Sequence, residues 1–193
     1  MFGSSIYGIN NLKINKNIPH LLTYPRSGSH YFEDMLYEQE KINFTKSHFL
    51  TGLFDQNNNK NRPIVTIARD PIDSISSYVA RFHFDYPGQE FLVPEKITEY
   101  VLMYSFLYEY ADFVIDFNDL IKDPQSVIGK LLNLLDINEN KYHFFDRDPM
   151  PKYEGFFPSS KSLPQYNKDR ITNHDTSLCY FYYNKLLEKK IVI

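Results

Sequence analysis

The six residues Pro63-Ile-Val-Thr-Ile-Ala68 constrain the fold more than any other stretch of the chain. The run is β-branched and continuous, without the polar alternation of a strand that has one wet face. It therefore predicts a strand buried on both sides, as in a parallel sheet covered by helices. The residues just beyond it agree. Asp70 offers an N-cap, Pro71 suits the first helical position, and Asp73 places a carboxylate in the first turn. Ile72, Ile75, Val79 and Phe82 then form one apolar stripe at helical spacing. At about 100° per residue, Ser77 lies opposite that stripe and is expected to meet solvent or a ligand.

A second strand-to-helix unit precedes it. Leu21, Leu22, Thr23 and Tyr24 read as a short buried strand stopped by Pro25; Tyr31, Phe32, Met35 and Leu36 recur at helical spacing as far as about Glu40. Between them lies the small-residue turn Arg26-Ser-Gly-Ser29. Ile42 to His48 predicts another strand, Glu95 to Ala111 a long helix with Ile97, Val101, Tyr104, Tyr108 and Ala111 on one face, and Phe113 to Phe117 a further strand. Asp123-Pro124 repeats the Asp-Pro helix start, with Val127, Ile128, Leu131, Leu134 and Leu135 as the buried face. Pro149, Pro151, Gly155, Pro158 and Pro164 mark a long polar loop, and Asp175 to Lys189 predicts a closing helix with Leu178, Tyr182 and Leu186 in register.

Strands alternating with helices predict an α/β protein, a three-layer α/β/α arrangement around a central, mainly parallel sheet. The 193 residues suffice for one domain spanning 1–193, with 1–19 as a loosely held N-terminal arm. A net charge of −3 argues against general nucleic-acid binding, so any polyanion site must be a local patch. The single cysteine, Cys179, excludes an internal disulfide framework and reads as a packed side chain. No His/Cys/Asp/Glu cluster shows the spacing of a metal site, so none is expected. There is no signal-like N-terminal run and no stretch near the ~18 apolar residues of a membrane span, so a cytoplasmic location is expected and no membrane partner.

In sheets of this kind ligands collect outside the carboxyl ends of the strands. Three short segments fall there: Tyr24-Pro-Arg-Ser-Gly-Ser-His30, Lys46-Ser-His48, and Arg69-Asp-Pro-Ile-Asp-Ser-Ile-Ser-Ser77. A strand, a small-residue turn and a helix form the geometry in which backbone N–H groups meet an anion. Arg26, Ser27, Gly28, Ser29 and His30 make up that turn and the start of its helix. The Gly-Lys-Ser/Thr ending of the nucleotide-triphosphatase loop is absent. An ordinary strand–loop–helix junction is the alternative.

Together these segments resemble the sulfotransferases that use 3′-phosphoadenosine 5′-phosphosulfate (PAPS). That family shows a Tyr-Pro-Lys-Ser-Gly-Thr type loop, a Lys-Thr-His segment with the general base, and an Arg-x-Pro-x-Asp-x-x-x-Ser segment. Asp116-Phe-Asn-Asp-Leu-Ile-Lys-Asp-Pro124 is similar to its Tyr-Glu-Asp-Leu-x-x-Asp-Pro stretch. The resemblance runs from about Leu21 to Leu135, with the four motifs in order, and implies the P-loop-type sulfotransferase fold. It implies that Arg26, Ser27, Gly28, Ser29 and His30 bind the 5′-phosphosulfate, and that Arg69 and Ser77 bind the 3′-phosphate. His48 would deprotonate the acceptor, and Lys46 would steady a sulfuryl oxygen. PAPS is then the cofactor, 3′-phosphoadenosine 5′-phosphate (PAP) the product, and no metal is required. The acceptor would be a small molecule or glycan bearing a hydroxyl or amine.

The chain also departs from the family. Arg26 stands where the cytosolic members have lysine. The segment between the first loop and His48 is shorter than theirs, and their C-terminal Arg-Lys-Gly segment has no clear match. Ser159, Ser160 and Lys161 are its nearest candidates for covering the cofactor, followed by Lys168 and Arg170. Taken alone, His48 also fits a solvent-exposed strand end, Arg69 a pair with Asp70 or Asp73, and Lys46 a surface charge. Two other functions stay open: a P-loop nucleotide or small-molecule kinase, and a non-catalytic nucleotide-binding module of the same fold.

Overall fold

The computed structural model describes residues 19–37, 44–48, 62–85, 92–137 and 165–191. Its centre is a four-stranded parallel sheet of β1 (His20–Leu22), β2 (Thr45–Ser47), β3 (Ile64–Ala68) and β4 (Phe113–Asp116). The order is β2-β1-β3-β4. His20 pairs with both Thr45 and Ile64, and β3 runs beside β4 from Val65–Phe113 to Ala68–Asp116. The helices are α1 (Ser29–Tyr37), α2 (Pro71–Asp85), α3 (Val93–Tyr110), α4 (Phe117–Lys122), α5 (Pro124–Leu134), α6 (Gln165–Thr172) and α7 (Ser177–Leu187).

Alternate strand residues feed two separate cores, which makes the arrangement three-layered. Leu22, Ala68 and Val114 face α2, α3 and α7 and pack with Ile75, Tyr100, Tyr104, Leu107, Cys179 and Leu186. Leu21, Val65, Ile67 and Ile115 face the other way and pack with Phe32 of α1, Leu120 of α4, and Val127, Ile128 and Leu131 of α5. The period-two alternation of a pleated strand is thus buried on both faces. The α/β class and the parallel sheet agree with expectation. Among the described residues no helix is long and apolar enough to cross a membrane. Residues 1–18 of the arm and the polar loop with Ser159, Ser160 and Lys161 lie outside the described residues.

Several helices sit rotated from the expected register. In α3 the buried line is Tyr100, Met103, Tyr104 and Leu107, while Ile97, Val101 and Tyr108 flank it. In α7 it is Cys179, Tyr183 and Leu186, leaving Leu178 exposed; in α5 Leu132 is buried and Leu134 exposed. Each of these segments is apolar on more than one side, so spacing alone does not choose the face. Neighbouring packing chooses it. The strand expected at Phe113–Phe117 ends one residue early, because the Asp116 carboxylate accepts the Asn118 N–H at 2.9 Å and starts α4. Helices α4 and α6 carry no expectation from the sequence: one is very short, and the other is a polar segment with only Tyr166 and Ile171 as apolar residues.

At the foot of the sheet, His20 is 4% exposed and its Nδ1 lies 2.6 Å from the Thr45 hydroxyl. Burial, helped by the nearby Arg62, pulls its pKa down from 6.5 to about 4. The folded state therefore resists a proton that the unfolded chain accepts. Stability is intact above pH 6.5 and falls as pH drops toward 4, by roughly 2 kcal/mol at pH 5. Urea melts at pH 7 and 5 should show that extra loss in the wild type relative to His20→Gln. Equal losses in the two proteins would show that His20 is not held neutral by the fold.

Candidate functional site

The loop after β1 is built by backbone conformations that few residue types tolerate. Tyr24 is buried, its ring edge-on to Tyr78 and Tyr100, with its hydroxyl donating to the Lys96 carbonyl at 3.0 Å. The Ser27 N–H closes a turn on the Tyr24 carbonyl at 3.2 Å. Arg26 within it has φ 67° and Gly28 has φ 95°. At Gly28 a β-carbon would stand 2.6 Å from the ring of Phe117, so both the left-handed backbone and the close ring require glycine. Helix α1 starts at once from Ser29, with the Phe32 N–H on the Gly28 carbonyl at 3.0 Å. The N–H groups of its first turn have no carbonyl within the helix to bond, which suits them to an anion.

Arg26, Arg69 and Ser77 form one connected unit. Arg26 Nε donates to Ser77 Oγ at 3.1 Å, and Arg69 Nη1 donates to the Arg26 carbonyl at 2.6 Å. The Arg69 guanidinium also lies 4.4 Å over the Phe117 ring. Ser77 is 3% exposed, which corrects the expectation of an open helix face. The loop folds across α2, so the side of the helix away from the apolar stripe is covered by Arg26. Burial lowers the Arg69 pKa, while the carboxylates of Asp73 and Asp70 act to raise it. Asp70 caps α2 by accepting the Asp73 N–H at 3.1 Å and takes the Tyr180 hydroxyl at 3.2 Å; Asp73 pairs with Lys168 at 2.8 Å. Lys168 thus reaches the rim from α6.

His48 stands just past β2, beside the loop. Its Nδ1 is 3.1 Å from the Thr23 carbonyl and 3.2 Å from the Thr23 hydroxyl, and its Nε2 is 3.5 Å from Ser29 Oγ. A carbonyl only accepts, so the Nδ1–H tautomer fits, and the lone pair lies at Nε2. Burial lowers the His48 pKa, and the Lys46 and His30 charges act the same way, against the Thr23 carbonyl and Glu33. The imidazole is therefore neutral at pH 7. His30 stacks against it, with ring centroids 6.4 Å apart and planes 8° apart. Lys46, by contrast, forms an ion pair with Glu33 across the β2–α1 side.

The structure thus brings Arg26, Ser27, Gly28, Ser29, His30, His48, Arg69 and Ser77 to one end of the sheet, whereas Ser160 and Lys161 fall outside the described residues. No motif singled out Thr23, Tyr100 or Tyr104, and Phe117 entered only as a strand end and as part of the Asp116–Pro124 stretch; all four touch this machinery. Their signal was weak: Thr23 reads as strand, Tyr104 as one residue of a helix face, and Tyr100 falls off that face. The pairing of Arg26 with Ser77 links residues 51 positions apart, which no local pattern encodes. Chemically, two guanidinium groups, a helix N-terminus and a neutral imidazole can hold an anion and remove a proton next to it. Among the described residues no group of three or more His, Cys, Asp or Glu side chains gathers to hold a metal. In comparisons with known proteins, no family model and no curated sequence matches this chain.

Proposed function

We propose that this protein is a PAPS-dependent sulfotransferase with a P-loop-type sulfotransferase fold, acting on an acceptor hydroxyl or amine. The observation that carries the reading is the convergence of three separate segments at the carboxyl ends of β1, β2 and β3. The turn at Arg26, the strand end at His48 and the strand end at Arg69 are joined by the bonds Arg69–Arg26–Ser77 and the approach of His48 to Ser29. The donor set suits an anionic nucleotide, because a guanidinium from the loop and another from the residue after β3 meet beside the N-terminus of α1.

PAPS supplies an activated sulfuryl group when bound. Arg26, Ser27, Ser29 and the N–H groups opening α1 hold the 5′ side, and Arg69 holds the 3′-phosphate. His48 Nε2 takes the acceptor proton, and the Thr23 carbonyl on Nδ1 steadies the imidazolium that results. The remainder of the catalysis is placement and charge stabilisation, by extension from phosphoryl transfer.

Calorimetric titration with PAP, AMP and ATP–Mg²⁺ at one salt concentration tests the reading. A charged hydrogen bond contributes roughly 1.5–3 kcal/mol, so PAP should bind at least about tenfold more tightly than AMP. Equal affinities for PAP and AMP would overturn the sulfotransferase assignment, and tighter binding of ATP–Mg²⁺ would favour a kinase. Preference for PAP without turnover would leave a nucleotide-binding module.

A further inference from the structure

Strand β3 ends at Ala68, whose register partner is Asp116. Arg69 is the first residue beyond that ladder, and two phenols from α3 meet its main chain. The Arg69 N–H donates to Tyr104 Oη at 2.9 Å. Tyr100 Oη donates to the Arg69 carbonyl at 2.7 Å, and Tyr104 Oη lies 3.1 Å from the same oxygen. Spacing of four residues puts both tyrosines on one face of α3. Their rings stack, with centroids 3.9 Å apart, and Tyr24 packs edge-on to Tyr100 just ahead of the loop.

We propose that Tyr100 and Tyr104 are positioning residues: they fix the peptide group of Arg69 so that its guanidinium meets the anion loop in the orientation that discriminates a 3′-phosphate. This rests on the sulfotransferase reading. If the two rings served only to fill the core, phenylalanine would do as well. A fully buried hydroxyl is costly unless it is bonded, and both of these are aimed at the same residue. Burial also raises both phenol pKa values, so they remain O–H donors through the working pH range. An arginine side chain is long, and small errors in its root displace its tip. Fixing the main chain at three contacts removes that freedom where β3 turns into α2.

The test is calorimetry with PAP and AMP on wild type, Tyr100→Phe, Tyr104→Phe and the double variant, with Tyr78→Phe as a control from the same aromatic cluster. Thermal melting is followed on each. The double variant should lose at least about tenfold of the PAP-over-AMP preference through misplacement of the guanidinium, with a smaller fall in AMP affinity through the loosened Arg26 loop and with the Tyr78→Phe preference unchanged. Should the double variant not fold, Tyr100→Phe decides, because it leaves both Tyr104 contacts in place and should lose about threefold. Full retention of the preference in folded variants overturns the proposal, as does an equal fall in PAP and AMP affinity, which marks a merely structural role. A wild type without PAP preference overturns the parent reading instead, and this inference with it.

Discussion

Replacing His48 with alanine is expected to lower sulfuryl transfer by roughly 10²–10⁴-fold, the usual contribution of a positioned general base. PAP affinity should stay near wild type, because His48 is held by the Thr23 main chain and its Nε2 lone pair serves the acceptor rather than the phosphates. The pH profile gives a second signature. The imidazole must be neutral to accept a proton, and burial depresses its pKa. The acid limb of the wild-type profile should therefore lie below the ordinary histidine value of about 6.5, and it should vanish in His48→Ala. Turnover close to wild type in the variant, or an acid limb that persists unchanged, would remove His48 from the role.

Arg69→Ala is expected to erase most of the preference for PAP over AMP, by about tenfold to a hundredfold. The structure adds a complication that can be measured. Arg69 Nη1 also braces the Arg26 carbonyl, and Arg26 holds a left-handed conformation. Part of the loss should therefore fall on AMP as well, through a looser loop. Arg69→Lys keeps the charge but lacks the planar fork that both stacks on Phe117 and bonds the carbonyl. It should recover only a fraction of the preference. If PAP and AMP weaken by the same factor in Arg69→Ala, the guanidinium is a brace for the loop and the 3′-phosphate is bound elsewhere.

The corner from β3 into α2 was legible in the sequence because several signals coincide there. A continuous β-branched run, an Asp cap and a proline at the first helical position all point to one boundary, and the Asp70 cap bond is present. The carboxyl-end cluster was legible for a similar reason, since position along a parallel sheet follows from the order of elements. What failed was rotation about helix axes. Spacing put Tyr108 and Leu178 on the buried faces and left Tyr100 off, whereas the packing of α7 on α3 buries Tyr100 and Cys179 and leaves Leu178 exposed. Ser77 failed likewise. A serine opposite an apolar stripe faces water only if nothing lies over it, and the covering group, Arg26, comes from a loop far away in sequence.

Beyond α7 the chain turns along the outer side of β4. The Ile191 N–H bonds the Val114 carbonyl at 2.8 Å, with Lys190 bridged in parallel to Val114. The Lys190 ammonium is tethered by Asp119 at 2.9 Å and Asp116 at 3.2 Å. An uncovered rim of peptide groups is a template on which another molecule can add a strand, and such templating leads to swapped or fibrillar assemblies. Here part of that template is already occupied by the protein's own residues 190–191, with the Lys190 ammonium held by two carboxylates. Salt screens such part-exposed ion pairs, so the cover over this rim should loosen as ionic strength rises, which faster hydrogen exchange at the Ile191 amide would report.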